Sequence, residues 1–512
     1  MRTGSHPVRT TEGFRKMNTT TMESKRSPLL PIAAALALGG LHQLLFFGKV
    51  PGVSVPLFLL LFYAYFWTFG REAMRPPERA GLLLTAAALL LALTYGLFDN
   101  PVFFVLNLIA LPVLVAWQLT YMLGDRKKSW HDPMLIADAI GHGIKQTLMH
   151  IPDLWAAFRR KPEQEDEPED EGDSPLRQVM YGLLIAAPVL ILVSILLLSA
   201  DGVLRTMAEK IPAWFTRLSL GDGTARLVWS VVIGVFFFTY LAGFRSPRRS
   251  PPVQGPAMAS FNAAPAKFQT LVTITLMITL NLVYVLFVAF QFSYLFGAWQ
   301  GVLPESASYA EYARSGFGEL IGVTFINFAL LLIGMYATRP GTGKTAGVLN
   351  GLLYLLVFCS AAMLGSAFSR LLMYEEAYGY TRLRFLVHAF MIFLLLLLIL
   401  FAVCIRFRRL PLGRWMVALA VCAYLAVNYS FMDRMIALLN LQREEASADM
   451  GYLMGLSSDA VPVLVEYGAR EGGEVDSLLR QKASEESAEP SAWQSWNLSD
   501  WQARGLLERY VE

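Results

Sequence analysis

Eleven stretches of this chain are apolar for about the length needed to cross a bilayer, and no other feature constrains its fold so strongly. They cover residues 29–47, 53–70, 80–98, 101–123, 178–200, 225–244, 268–296, 317–337, 347–369, 385–404 and 415–432. A span takes about 20 mostly apolar residues, because inside hydrocarbon only a helix or a closed barrel satisfies every backbone group. The run from Phe393 to Leu400 has no period-two alternation, which argues against a barrel. The expected fold is therefore all-α: a polytopic transmembrane helical bundle of about 11 spans, with a small helical extracytoplasmic C-terminal tail. Composition agrees, since 55% of the 512 residues are hydrophobic and 16% are charged, against about 25% charged in soluble chains. The second run is shortened by Pro56 and the fourth is interrupted by Pro112.

Lys and Arg fall unevenly between these runs. If the N-terminus is cytoplasmic, the cytoplasmic segments hold 27 of them and the outer loops 9, the asymmetry that sets orientation in a membrane. The basic residues before residue 29 suit a retained signal anchor. The chain then divides into a cytoplasmic leader (1–28), a four-span unit (29–123), a cytoplasmic amphipathic helix and acidic linker (124–177), a seven-span unit (178–432) and an extracytoplasmic helical tail (433–512). In 132–158, Ile136, Ile140, Ile144, Leu148 and Ile151 recur at helical spacing and predict a helix lying near the membrane. Residues 163–171 are acidic apart from Gln164 and Pro168 and read as a solvated spacer. The tail has a net charge of −8 and two short apolar stretches, 436–441 and 461–465. Disorder is expected after Glu485, with Trp493, Trp496 and Trp501 touching the membrane interface.

Chemical motifs are few. Gly341 to Thr345 copies the end of a phosphate-binding loop, but Thr338 stands where that loop needs glycine, and the stretch joins two spans. No nucleotide, nucleic acid, metal or cofactor is expected, and no catalytic residue is nominated. Cys359, Cys404 and Cys422 all lie in apolar runs, which leaves no outer disulfide framework. The polar residues within spans are His42, Asn107, Asn281, Asn327, His388 and Asn428, read first as interhelical hydrogen-bonding groups. A second set gathers on the outer face: Tyr309, Glu311, Tyr312 and Arg314 before the eighth run with Glu319 a turn further on, Arg370, Glu375, Glu376, Arg382 and Arg384 around the turn between the ninth and tenth, and Asp433 after the eleventh. Arg382 and Arg384 begin a helix, against its dipole, so nearby acids should compensate them. Such a network serves either as a staple between spans or as a site for an anionic ligand or headgroup.

Tyr309 to Leu320, Tyr374 to Arg384 and Gly451 to Leu464 resemble recurrent motifs of the bacterial membrane proteins grouped as domains of unknown function four-one-five-three and four-one-seven-three. Asp433, Ile436, Ala437, Asn440 and Arg443 fit the pattern after the last span, although Phe431 stands where that pattern has Asn. The resemblance, over about residues 180–470, implies a multi-pass inner-membrane protein and no particular reaction. Beyond the lipid bilayer, the expected partner is an extracellular ligand or an envelope protein, which makes the first functional expectation a non-enzymatic envelope scaffold or sensor. A transporter or lipid-handling protein is the alternative, and a membrane enzyme acting on lipid-linked substrates the third.

Overall fold

In the computed structural model the described residues are 29–76, 78–125, 127–158, 222–248, 268–299, 317–339, 343–443, 449–488 and 492–512. They form α1 (Leu29–Phe46), α2 (Ser54–Gly70), α3 (Arg79–Leu97), α4 (Pro101–Leu123), α5 (Met134–Gly141), α6 (Thr147–Met149), α7 (Ile151–Phe158), α8 (Asp222–Arg245), α9 (Thr270–Trp299) and α10 (Phe317–Leu332). There follow α11 (Lys344–Tyr378), α12 (Arg382–Arg406), α13 (Leu412–Asn428), α14 (Met432–Leu441), α15 (Met450–Met454), α16 (Val461–Glu471), α17 (Glu474–Ala488) and α18 (Leu498–Val511). Single π-helical turns join α5 to α6 and extend α10 to Ala337. Among the described residues there is no strand, only an isolated bridge between Phe268 and Thr338.

Seven of these helices are long and apolar enough to cross a membrane, or eight if α13 and α14, bent by 58° at their junction, make one span. That is fewer than the 11 expected. Two expected spans, α2 and the α10 segment, are shorter apolar helices, and the run 178–200 lies outside the described residues, as does the acidic stretch 163–171. Pro112 does not interrupt α4, which runs unbroken for 23 residues. Asn100 starts that helix, its side chain accepting from Val102 N at 3.0 Å and Phe103 N at 3.3 Å, with Pro101 at the first helical position.

The bundle has two apolar bodies. One is built from α1 to α5 and α8, around Leu38, Phe62, Phe66, Leu91, Leu119 and Leu241. Here α1 and α8 touch through backbone: a Cβ on Gly39 would lie 2.2 Å from Ser230 O, and one on Gly234 2.8 Å from Leu36 Cα. Small residues at such a crossing replace hydrophobic driving force by close packing. The other body is α9 to α13, around Met277, Leu331, Leu353, Leu356 and Phe401. The two are joined through buried amides: Asn107 Nδ2 donates to Asn428 Oδ1 at 2.7 Å and to Thr94 Oγ1 at 3.1 Å, while Tyr424 OH donates to Asn107 Oδ1 at 2.6 Å.

The amphipathic segment lies across one end of the bundle. Leu135, Ala139, Thr147 and His150 are buried, whereas Ile136, Ile140 and Ile144 are exposed. The tail covers the other end. Disorder after Glu485 is not what is found: Asn497 caps α18 by accepting from Asp500 N at 2.7 Å, and Ser499, Ala503 and Leu507 at four-residue spacing bury one stripe of it. The tail core joins Ile436, Ala437, Val461, Leu464, Leu479 and Leu507 to Phe103 of α4. It is thus continuous with the bundle, as a module too small for its own core requires.

Candidate functional site

The tail meets the loop after α1, the loop after α3, the turn after α11 and the bend before α14. α11 is 35 residues long, about 52 Å at 1.5 Å per residue, so it overreaches a hydrocarbon layer of about 30 Å and carries Tyr374 to Tyr378 toward the tail. It ends because Gly379, at φ +78°, adopts a conformation open to glycine, and α12 restarts three residues later with Thr381 as its cap. A Cβ on Gly379 would lie 2.5 Å from Asn440 Oδ1.

One face of α14 grips this turn. Asp433 is fully buried and receives Arg382 side-on: Nε lies 2.9 Å from Oδ1 and Nη2 lies 2.6 Å from Oδ2. Ser457 N donates to the same Oδ2 at 2.9 Å. One turn further along α14, Ile436 and Ala437 fill the contact. Asn440 then pairs with the backbone of Tyr380, accepting from its N at 2.8 Å and donating to its O at 2.9 Å. Arg443 reaches the carbonyl of Glu376. From the other side, Tyr452 OH accepts from Arg382 N at 3.1 Å. The residues of the family-like pattern, four on α14 and Arg443 just beyond it, thus all face the α11–α12 turn.

Behind this clasp sit two more carboxylates, Asp459 buried and Asp99 exposed on the loop after α3. Ser458 Oγ donates to Asp99 Oδ2 at 3.0 Å, and Ser499 Oγ donates to Asp459 Oδ1 at 2.5 Å. Desolvation raises the pKa of both. Asp459 is pushed up to about 6, because the charges of Asp99 and Asp433 add to its desolvation while the Ser499 hydroxyl only partly offsets them. For Asp99, desolvation of the carboxyl outweighs the hydrogen bond from Ser458. Lys482 supplies a cation to this region and also donates to Met454 O at 2.9 Å.

The expected outer cluster is only partly one arrangement. Arg382 and Asp433 pair. Arg384 does not reach an acid; it donates to Gly379 O and lies 4.1 Å from the centre of the Tyr374 ring. Arg370 Nη2 approaches Ser366 Oγ at 3.4 Å. The Glu376 side chain is exposed. Glu375, also fully buried, pairs with His388, whose Nδ1 is 3.2 Å from Oε1, and among the described residues no other group hydrogen-bonds the carboxylate. Tyr309, Glu311, Tyr312 and Arg314 lie outside the described residues, as does the side chain of Glu319. Among the described residues of the expected network, Arg382 with Asp433 and Glu375 with His388 form two separate pairs, while Glu311 and Arg314 lie outside the described residues.

The remaining intramembrane polar residues bridge helices. Trp229 Nε1 donates to His42 Nδ1 at 3.0 Å, Asn281 Nδ2 to Leu352 O at 3.0 Å, and Asn327 Nδ2 to Ser360 Oγ at 2.9 Å. Sequence reasoning missed Asp99, Ser457, Ser458, Asp459, Ser499 and Lys482. The one signal for them was the Ser457-Ser458-Asp459 triplet ahead of Val461-Pro462, a helix-start pattern. Among the described residues no group of three or more His, Cys, Asp or Glu could hold a metal ion.

Residues 85–467 match the family described as Domain of unknown function (DUF4153). The chain belongs to this family. The match starts inside α3, so the domain takes in the rest of α3 and all of α4, ahead of where the motif resemblance began, and ends within α16. The likeness to the second family, four-one-seven-three, stays a resemblance. No curated protein and no solved structure matches the chain.

Proposed function

We propose that this DUF4153 protein is a non-enzymatic scaffold or sensor of the bacterial inner membrane, with about 11 spans, a cytoplasmic N-terminus and an extracytoplasmic tail latched on the outer ends of its helices. The observation that carries this reading is the saturation of the clasp. The Asp433 carboxylate takes four contacts from Arg382 and Ser457, which suits a rigid platform presenting the tail. The orientation rests on the 27 to 9 distribution of Lys and Arg.

Thiol accessibility tests it. In a background lacking Cys359, Cys404 and Cys422, single cysteines replace Asn107, Ser360 and Asn428 within the bundle, Ser484 in the tail and Ser129 at the opposite end. An impermeant maleimide should modify Ser484→Cys on intact cells, modify Ser129→Cys only after permeabilisation, and leave the three bundle positions unmodified. Labelling of the bundle positions from both faces would mean a water-filled path and would favour the transporter. Reversal at Ser129 and Ser484 would invert the orientation.

A further inference from the structure

Two histidines of the segment that crosses the end of the bundle, His142 and His150, grip backbone carbonyls near the end of α8, and they need different numbers of protons to do so. His142 Nε2 lies 2.9 Å from Tyr240 O, and its ring stacks on Phe244 with centroids 3.5 Å apart. A single N–H makes that contact. Burial lowers the pKa of His142 to about 4, so it binds as the neutral ring. His150 is fully buried, with Nδ1 2.7 Å from Gln146 O and Nε2 2.9 Å from Ser246 O. A carbonyl oxygen only accepts, so both ring nitrogens must carry protons; a neutral imidazole would aim a lone pair at one of the two oxygens. Ser246 directly follows α8, where the last carbonyls lack helical partners and the negative end of the dipole favours a cation.

The surroundings of His150 fit a positive charge. On α7, Asp153 Oδ2 lies 4.0 Å from Nε2, and the same carboxylate pairs with Arg248, Nη2 to Oδ1 at 2.5 Å. Of the other charged groups at this end, Arg245 of α8 is engaged by Glu72 at 3.2 Å, Lys128 by Asp138 at 2.5 Å, and Lys145 is exposed. α8 is shaped for close contact here: a Cβ on Gly243 would lie 2.9 Å from both His142 Cε1 and Gln146 Cβ. Gln146 exchanges two hydrogen bonds with the backbone of Arg248, and Arg248 Nη1 donates to Met149 O at 2.6 Å. None of these amides and guanidiniums titrates near neutral pH.

We infer that His150 is a proton-operated latch: doubly protonated, it ties α6 and α7 to the end of α8, and loss of one proton releases them. The latched state holds both ring protons, whereas a released imidazole in water loses one above about pH 6.5. The latched state therefore binds more protons than the released one. The latch is at full strength below that pH, and its opening rises by up to about tenfold per pH unit above it. The inference goes beyond the scaffold or sensor reading. On the orientation proposed above the proton comes from the cytoplasm, but the latch depends neither on that orientation nor on the tail clasp.

The test is amide hydrogen exchange on the full chain in nanodiscs, from about pH 6 to about pH 8, corrected for the intrinsic pH dependence of exchange. Opening of residues 147–154 should rise about tenfold over this range, while the middle of α8, residues 230–238, keeps its protection. His150→Gln carries no titrating group there and should abolish the dependence. His142→Gln should retain it. Thermal unfolding in detergent identifies any variant that has lost its fold, and the native protein carries the primary comparison in either case. Opening that does not change with pH in the native protein, or loss of protection in the middle of α8 in step with residues 147–154, would overturn the inference. So would a pH dependence that survives in His150→Gln or vanishes in a folded His142→Gln.

Discussion

Asp433 and Glu375 are both fully buried carboxylates beside α12, and each faces a basic residue of that helix, yet their surroundings are opposite. Asp433 is surrounded by donors: a guanidinium side-on and a backbone N–H. Glu375 has His388 Nδ1 at 3.2 Å and, among the described residues, no other hydrogen-bonding group, while His388 Nε2 is also without a partner there. A buried charge whose lone pairs are all matched acts as a staple, and removing one partner strands the other. The Glu375 carboxylate, by contrast, rests on a single imidazole contact. The difference separates the part of the outer cluster that builds the fold from the part that does not.

The largest expected effect breaks this contrast directly. Asp433→Ala leaves Arg382 half-buried and Ser457 N without an acceptor, and should cost about 3–5 kcal/mol. Glu375→Gln, by contrast, should stay within about 1 kcal/mol of the native protein, on either side of it. Thermal unfolding in one detergent decides. Equal losses would mean that Glu375 is held by something as strong as the clasp.

Next comes pH. Asp459 has a folded-state pKa of about 6 against an ordinary 3.8, so the folded state binds its proton more tightly than the unfolded one. Its contribution is most favourable below pH 4, falls as pH rises from 4 to 6, and is flat above. The drop is about 3 kcal/mol, from roughly two pKa units at 1.36 kcal/mol each. In Asp459→Asn this fall should shrink by about that amount, leaving the part that Asp99, whose pKa is also raised, contributes. A profile unchanged by the substitution would place the titrating group elsewhere.

Gly379 tests the turn that the clasp grips. At φ +78° and ψ 175°, a side chain costs about 1–3 kcal/mol from backbone strain alone, and the new Cβ would press on Asn440. Gly379→Ala should therefore destabilise by about 2 kcal/mol, and the loss should shrink when Asn440→Gly relieves the contact. Full additivity of the two substitutions would separate the turn from α14.

Much of this was legible in the sequence, for physical reasons that differ between regions. Hydrocarbon leaves so few backbone options that apolar runs such as 385–404 declare their helices. The face of α14 was legible through the family resemblance, whose pattern takes in Asp433, Ile436, Ala437 and Asn440, with Arg443 just beyond the helix. The Glu375–His388 pair was not, since the two residues stand on different helices and only the α11–α12 packing brings them together. The order of α18 was hidden by the Ser- and Glu-rich stretch before it, although Asn497 with Asp500 three residues later marked a helix start. Asn327 was legible as a polar residue within a span, but its partner was not, because Ser360 stands on another helix.

The smallest expected effect concerns the bend that delivers Asp433 to Arg382. Phe431 has φ 51° and ψ 48°, the left-handed conformation, and among the described residues it is the one non-glycine with positive φ. An L-residue there costs about 1–2 kcal/mol, less for Asn, whose short polar side chain tolerates the region. Part of the cost is recovered by the Phe431 ring, which meets Phe98 edge-on with centroids 5.0 Å apart, a contact worth about 0.5–1.5 kcal/mol. Phe431→Asn should therefore stabilise by less than about 1 kcal/mol, and Phe98→Ala should cost less in that variant than in the native protein. If Phe431→Asn destabilises by more than about 1 kcal/mol, ring packing rather than backbone strain governs the bend. The Asp433 staple would then depend on the Phe98 loop as well as on α12.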